Sequence, residues 1–151
     1  MTRRMSCSMT VPAVRARTKT VTRRHVDTWK DLKPGDRLTL IEKGMGLPKG
    51  TRQVVLDEVE ITDVRIERIG DVLTEDNATT LEGLPEMSAA EFIRFWLRGH
   101  GYGTPPLWIG SDIPCRRIEW RYLHQCGRCP EWKPEEAMDD AEVCVECAGA
   151  A

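Results

Sequence analysis

The segment QVVLDEVEITDVRIERI, residues 53–69, decides the fold, because it interleaves apolar and charged residues over a length that fits one long β-strand. Eight apolar side chains occur among the charges: Val54, Val55, Leu56, Val59, Ile61, Val64, Ile66 and Ile69. Two adjacent carboxylates, Asp57 and Glu58, interrupt the alternation, which predicts a bend or bulge near that point. We expect this strand to lie in the middle of a sheet.

Shorter segments of the same kind surround the long strand. Three of them alternate apolar and polar side chains and are predicted strands: 18–24, 37–42 and 115–122. Three helices are predicted: a short one beginning near Pro12, a second over 74–81, and a third that opens at a capping box formed by Ser88 and Glu91 and ends at Gly99. The stretches 44–50 and 99–114 are rich in Gly and Pro and are predicted loops. Because strands outnumber helices and no βαβ alternation occurs, the predicted fold class is α+β, with a small barrel-like sheet covered by short helices.

Composition excludes some classes of protein and favours others. In 151 residues no apolar run approaches the roughly 18 residues of a membrane span, and the basic N-terminal segment has no apolar stretch of the secretory type. We therefore expect a cytoplasmic protein with no membrane partner.

Charge is distributed unevenly along the chain. Residues 1–30 carry a net charge of +7, although the whole chain carries −2. This asymmetry favours a phosphate-bearing ligand at one face, with Arg17, Lys19, Arg23 and Arg24 at the edge of a positively charged cleft. The alternative is an ordinary solvated charged face.

The last 26 residues contain a cysteine pattern typical of a metal site. Cys126-Gly-Arg-Cys129 and Cys144-Val-Glu-Cys147 are two C-x2-C knuckles separated by 14 residues. Four thiolates complete a tetrahedron without an open position, so the predicted metal is a structural Zn²⁺ held by Cys126, Cys129, Cys144 and Cys147. Disulfides or free thiols are the alternatives, and a reducing compartment disfavours the disulfides. The segment between the knuckles is acidic and poor in apolar residues, so metal ligation would have to stabilise it.

Other cysteines and histidines give weaker signals. Cys7 and Cys115 lie outside the knuckles and are predicted to be buried small apolar residues. The three histidines, His25, His100 and His124, show no ligand spacing with one another and are predicted to lie on the surface or in loops.

Four short motifs follow one another along the chain: Lys19-Thr20-Val21-Thr22-Arg23-Arg24, Leu32-Lys33-Pro34-Gly35-Asp36, Glu82-Gly83 followed by Ser88-Ala89-Ala90-Glu91-Phe92, and Arg117-Ile118-Glu119-Trp120. Their order and spacing resemble the ASCH family, which shares the PUA-like barrel, across residues 6–123. The resemblance is strongest to short phage-type members, which begin with a Ser-Met-Thr segment and read RTKTVTRR, as residues 17–24 do here. It implies an ASCH/PUA-like domain over 6–123, followed by a zinc-ribbon-like appendage over 124–151. For a phage-encoded protein the expected location is the host cytoplasm.

The resemblance also implies a site. In a subset of small bacterial members that hydrolyse 4-acetylcytidine, the catalytic Lys and Thr correspond to Lys19 and Thr22, and an Arg corresponds to Arg24. The catalytic Glu corresponds to Glu82, through the Glu-Gly pair, or to the nearby Glu86. Strand alternation alone would place Lys19 and Thr22 on opposite faces, so a kink near Thr20-Val21 is required if they share a pocket. The chain departs from the usual Gly-Arg/Lys-Lys-Thr pattern, since Arg17-Thr18 stand where Gly and a basic residue are typical.

Three functions follow from these observations. The leading one is an RNA- or nucleotide-binding module of ASCH type, with Arg17, Lys19, Thr20, Arg23 and Arg24 as ligand-binding residues. The alternative is an amidohydrolase of a modified nucleoside such as 4-acetylcytidine, with Lys19, Thr22 and Glu82 as catalytic residues. A second alternative is an adaptor that binds a protein through the zinc tail, which carries a net charge of −5 over residues 126–151.

Overall fold

A computed structural model describes residues 2–149 and contains one mixed sheet of six strands. The strands are β1 Arg3–Ser6, β2 Val21–His25, β3 Arg37–Ile41, β4 Val55–Arg68, β5 Pro114–Gln125 and β6 Trp132–Pro134. Their order is β1-β3-β4-β5-β2, with β6 paired to the end of β5. Among the strands of residues 2–149, only β1 and β3 run parallel to each other. The sheet curls into a half-barrel, so the predicted α+β class is confirmed and the sheet is less closed than a full barrel.

The long strand β4 lies in the middle of the sheet, as predicted from residues 53–69. Its pairing with β3 and β5 contains two bulges. Leu56 is the extra residue opposite the Leu40–Ile41 step of β3, and Thr62 is the extra residue opposite Glu119–Trp120 of β5. The first lies beside the predicted position at Asp57, and the second was not predicted. Bulges increase local twist, and these two contribute to the curl of the sheet.

Five short helices accompany the sheet in the described chain: α1 Val11–Arg15, α2 Ala78–Leu81, α3 Ala89–Gly99, α4 Leu107–Gly110 and α5 Val145–Ala148. The predicted capping box of α3 is present, since Ser88 Oγ accepts a hydrogen bond from Glu91 N and Glu91 Oε2 accepts one from Ser88 N. The predicted helix over 74–81 is only its last turn, α2. None of the described helices has the length and apolar character needed to span a membrane.

Two apolar clusters make up the core of the domain. The first packs on the curled sheet and includes Met5, Leu38, Val59, Ile118 and Trp120. The second lies under α3 and includes Ile69, Phe92, Ile93, Trp96 and Leu97. The predicted burial of Cys7 and Cys115 is confirmed, with one thiol in each cluster.

The C-terminal tail continues the sheet. Strand β5 runs through the predicted boundary at residues 123–124, and its Leu123–Gln125 end pairs with β6. Arg37 Nη1 donates a 2.9 Å hydrogen bond to the carbonyl oxygen of Trp132, which joins β6 to β3. The tail is therefore anchored through backbone pairing, and the last two residues of its predicted range, 150–151, lie outside the described chain.

Candidate functional site

A cavity of about 330 Å³ opens between the two apolar clusters. The turn after β1 contributes Cys7, the segment before β2 contributes Lys19, β2 itself contributes Thr22, and the turn after α2 contributes Glu82. The opposite wall is aromatic and belongs to α3 and its C-terminal end: Phe92, Phe95, Trp96 and His100. The predicted meeting of Lys19, Thr22 and Glu82 in one pocket is present, although 60 residues separate the last two.

Lys19 reaches the cavity because it precedes β2. The strand begins at Val21, so strand alternation does not determine the direction of the Lys19 side chain. The kink expected near Thr20 is present where Thr20 N donates a hydrogen bond to the carbonyl oxygen of Leu81. Tyr122 Oη fixes the same turn by donating to the carbonyl oxygen of Lys19. Strand alternation was thus the wrong guide for this pair of side chains.

The Lys19 ammonium is almost fully enclosed. Nζ donates to the carbonyl oxygens of Val21, at 2.8 Å, and of Glu82, at 2.5 Å, and it lies 3.6 Å from Glu82 Oε2. Only 3% of the residue is exposed. Burial lowers the pKa of Lys19 below its usual 10.5, and the nearby Glu82 carboxylate opposes this without cancelling it. A lysine whose pKa is lowered is neutral over a wider range of pH, and only the neutral amine can accept a proton.

Glu82, and not Glu86, is the carboxylate of this cavity. Glu82 is 3% exposed, whereas Glu86 lies on the surface and does not line the cavity. Glu82 Oε1 accepts a 2.9 Å hydrogen bond from Arg23 Nη1, and Glu82 Oε2 faces Lys19. Arg23 is held in turn by Glu67 and Glu75, so the position of the Glu82 carboxylate is fixed from behind.

Gly83 sets how closely the Glu82 turn approaches Lys19. Its φ is +84°, and a Cβ built there would lie 3.0 Å from the Cβ atoms of Thr10 and Ala13 and 3.1 Å from Lys19 Cδ. Any other residue would therefore be strained in its backbone and would also press on the Lys19 side chain.

We expect Gly83→Ala to lower the free energy of unfolding by about 2–5 kcal/mol, because left-handed backbone strain and overpacking add. Gly35→Ala is the matched control, since Gly35 has a φ of +92° and no atom within 4 Å of a built Cβ. Gly35→Ala should lower the free energy of unfolding by only the cost of the left-handed backbone, about 1–2 kcal/mol. Urea unfolding of the two variants measures both values, and equal losses would show that the turn has room for a side chain.

Arg17 and Arg23, predicted at the edge of a positively charged cleft, are both paired with carboxylates. Arg17 lies outside the cavity, where its guanidinium makes a two-pronged ion pair with Asp57. Arg23 lines the cavity, but its side chain is fully buried among three carboxylates. Thr20 does not line the cavity either. Charge counted along the chain missed this, because the partners come from distant segments.

Arg17 adopts a left-handed backbone conformation. Its φ is +58°, the left-handed region in which glycine is usual. The ion pair with Asp57 and a 3.2 Å hydrogen bond from Nη2 to the carbonyl oxygen of Leu123 hold the side chain in this conformation. Contacts of the Arg17 side chain therefore compensate for this left-handed backbone.

Arg24 and His100 bring further polar groups to the cavity. Arg24 Nη2 donates a 2.7 Å hydrogen bond to the carbonyl oxygen of Ser6, whereas its buried Nε has no partner among the described residues. His100, predicted to lie on the surface or in a loop, is half-buried, and its ring stacks on Trp96 with centroids 4.1 Å apart. The four-residue spacing of Phe92, Trp96 and His100 along α3 is the signal that could have placed His100 in this wall.

The four knuckle cysteines form a second candidate site. One sulfur from each of Cys126, Cys129, Cys144 and Cys147 lies within 4.8 Å of the others, and all four are free thiols. Cys126 Sγ accepts hydrogen bonds from the backbone N–H groups of Cys144 and Arg128, which lower its pKa to about 6. Backbone donors aimed at sulfur favour the thiolate, the form that ligates metals. The predicted cluster is confirmed as a group able to hold a metal ion.

No family model, curated protein or solved structure matches the chain. The function is therefore inferred from the two sites themselves. The cavity joins a buried amine, a hydroxyl and a carboxylate, while the cysteine cluster offers four sulfurs and lies in the tail beyond β5.

Proposed function

We propose that the chain is an ASCH-type, PUA-like domain that hydrolyses the acyl amide of a modified nucleoside such as 4-acetylcytidine. The observation that carries this proposal is the buried Lys19 amine, 3.6 Å from the Glu82 carboxylate in a cavity that Thr22 also lines. A nucleophile, a base with a lowered pKa and a carboxylate are the groups that amide hydrolysis requires. Catalytic roles for Lys19, Thr22 and Glu82 are part of the proposal.

The reaction proceeds in two stages. Thr22 Oγ attacks the acyl carbon while Lys19 takes the proton of the Thr22 hydroxyl, so that a C–O bond forms. The C–N bond between the acyl carbon and the amino nitrogen of the nucleobase then breaks. The leaving nitrogen receives the proton from Lys19, with Glu82 holding the ammonium in place. Water then attacks the acyl-Thr22 ester, acetate leaves, and the Thr22 hydroxyl is restored. One water is consumed for each acetate and nucleoside produced.

The size and charge of the cavity support a nucleoside or nucleotide over a long RNA strand. Its volume lies in the range of small-molecule sites. Five of the eight basic side chains in residues 1–30 are paired with carboxylates: Arg3, Arg17, Lys19, Arg23 and Lys30. A strand of RNA needs unpaired cations along its path. RNA binding without chemistry, and protein binding through the acidic tail, stay predictions.

Release of acetate from 4-acetylcytidine by the purified protein tests the proposal. We expect cytidine and acetate in equal amounts, and we expect Glu82→Gln to reduce the rate because the amide cannot hold the ammonium by charge. Glu86→Gln is the matched control and should leave the rate unchanged, since Glu86 is exposed and outside the cavity. Binding of the nucleoside without acetate release would leave a binding module and reject the hydrolase.

The pH dependence of the rate follows from the role of Lys19. A base accepts a proton only when it is neutral, so kcat should be low below the pKa of Lys19 and rise as the pH increases through it. Burial lowers that pKa, so the midpoint should fall below 10.5. Measurement of kcat across pH with 4-acetylcytidine tests this, and a rate that falls over the same range would exclude Lys19 as the base.

We also propose that the metal held by the four cysteines is zinc. Four thiolates in two knuckles are the donor set and spacing of structural zinc sites. Such a site would fix the tail and take no part in the chemistry, because four protein ligands leave no position for water.

A further inference from the structure

Three carboxylates surround the guanidinium of Arg23. Its Nε donates a 2.7 Å hydrogen bond to Glu67, its Nη1 donates a 2.9 Å hydrogen bond to Glu82, and its Nη2 donates to Glu75. The Arg23 side chain has no exposed surface. Burial opposes its charge, but the carboxylates outweigh burial and raise the pKa of Arg23 above its usual 12.5. The guanidinium is therefore a permanent charge behind Glu82.

Contacts from several elements keep Arg23 in one position. Its carbonyl oxygen accepts a 2.9 Å hydrogen bond from Trp96 Nε1, which joins β2 to α3. Glu67 lies near the end of β4, and Glu75 lies between β4 and α2. A guanidinium presents its donors in a rigid planar fork, so an arginine held at Nε and Nη2 has its Nη1 aimed in one direction. That direction is toward Glu82 Oε1.

The second oxygen of Glu82 stops short of the Lys19 amine. Glu82 Oε2 lies 3.6 Å from Lys19 Nζ, whereas a charge-assisted hydrogen bond from nitrogen to oxygen is usually about 2.7–2.9 Å long. The closer partners of Nζ are two carbonyl oxygens, those of Val21 and Glu82. Direct contact with the carboxylate would favour the ammonium over the neutral amine. The contact of Arg23 with Oε1 therefore bears on how readily Lys19 becomes neutral.

We propose that Arg23 is a positioning residue, which holds Glu82 through Oε1 and so keeps the carboxylate from closing on the Lys19 amine. The neutral amine is then available to take the proton of the Thr22 hydroxyl. The carboxylate stays near enough to hold the ammonium that forms. The inference rests on the proposed function, because it concerns the base of that reaction. Arg23 acts through Glu82 and does not contact the substrate.

Other groups around Lys19 do not replace this contact. Four of them face Lys19 from the turn after β1, from β2 and from β5: Cys7, Arg24, Trp120 and Tyr122. Burial raises the pKa of Cys7, so its thiol is neutral at pH 7, and burial raises the pKa of Tyr122 to about 12. Arg24 is a cation and disfavours the ammonium. Among residues 2–149, Glu82 has the only carboxylate within 4 Å of Lys19 Nζ.

Titration of Lys19 by NMR tests the proposal, with the 13Cε signals of labelled lysine followed against pH. The Lys19 signal is the one missing when Lys19 is replaced by Met in the same background. Arg23→Lys is the test variant, because it keeps the positive charge among the carboxylates and removes the fork. We expect its Lys19 midpoint to rise by about one to two pH units, the value of one charge-assisted hydrogen bond. An unchanged midpoint would overturn the proposal, since charge alone would then suffice.

Glu67→Gln is the matched control. It removes a buried carboxylate from the same guanidinium but leaves Glu75 and Glu82 in contact with it, so the Lys19 midpoint should not rise. A rise would assign the effect to general loosening and overturn the role of Arg23. If circular dichroism shows that Arg23→Lys does not fold, Glu82→Asp takes its place. The shorter carboxylate, held by Arg23, should withdraw from Lys19 and lower the midpoint, and a midpoint that stays or rises would overturn the proposal.

These outcomes are separate from those of the proposed hydrolysis, because the titration needs no substrate. A raised midpoint in Arg23→Lys without acetate release by the unmodified protein would uphold the positioning of Glu82 and reject the hydrolase. Acetate release with an unchanged midpoint would do the reverse. If both proposals hold, the pH midpoint of kcat should rise in Arg23→Lys together with that of the titration. KM should change little, because Arg23 does not contact the substrate.

Discussion

Thr22→Ala is expected to lower kcat/KM for acetate release from 4-acetylcytidine by about 10³-fold or more, because it removes the only atom proposed to attack the acyl carbon. Thr22→Ser is the matched control, since it keeps the hydroxyl and loses one methyl group. The serine variant should retain measurable turnover. Thr22 is 5% exposed, so circular dichroism and urea unfolding should accompany the kinetics to show that both variants fold.

Lys19→Met tests the proposed general base in the same assay of acetate release. Removal of a general base costs about 10²–10⁴-fold in rate, and the variant should therefore resemble Thr22→Ala. Its free energy of unfolding should fall by about 1–3 kcal/mol, because the carbonyl oxygens of Val21 and Glu82 lose their donor. Glu82 keeps its ion pair with Arg23. Together, an inactive Lys19→Met and an inactive Thr22→Ala that both fold would point to chemistry. Full turnover by either variant would reject the proposed nucleophile or base.

The strands of the sheet could be predicted where apolar and polar residues alternate along the sequence. Alternation over residues 53–69 predicted β4 and its central place, and the capping box predicted the start of α3. Strand β1 has no such pattern, because its four residues include two exposed arginines and it is fixed by parallel pairing with β3. The bulge at Thr62 depends on the register against β5, which one strand does not encode.

The cavity residues could likewise be predicted only where neighbouring residues in the sequence determine the structure. Lys19, Thr22 and Glu82 could be selected only through the resemblance, since no spacing rule joins residues 60 positions apart. The charge of Arg23 is neutralised by Glu67, Glu75 and Glu82. These carboxylates lie far from Arg23 in the sequence, so the net charge of residues 1–30 could not reveal the pairing. The cysteine cluster was easier to predict, because each knuckle is local and the spacing of two such knuckles is typical of a four-thiolate metal site.

Loss of the metal is expected to unfold the tail while the half-barrel persists. Between the knuckles, the described tail has only one small apolar cluster, in which Val143 packs with the cysteines and Met138. So few apolar contacts cannot offset the entropy of ordering more than 20 residues, whereas a structural zinc in a peptide of this kind contributes about 10–16 kcal/mol. The sheet and its two apolar clusters do not depend on the sulfurs.

Cys144→Ser tests this expectation, with Cys115→Ala as the matched control, because both thiols are buried and only Cys144 belongs to the cluster. Elemental analysis should find one zinc per chain in the unmodified protein and in Cys115→Ala, and much less in Cys144→Ser. Hydrogen exchange should show loss of protection at Cys126 N and Gly127 N, which donate to the carbonyl oxygens of Glu131 and Glu142. Amides in the β4–β5 pairing should stay protected. Protection of the tail in a metal-free protein would mean that β6, through its pairing with β5 and the Arg37 hydrogen bond, holds the tail without the metal.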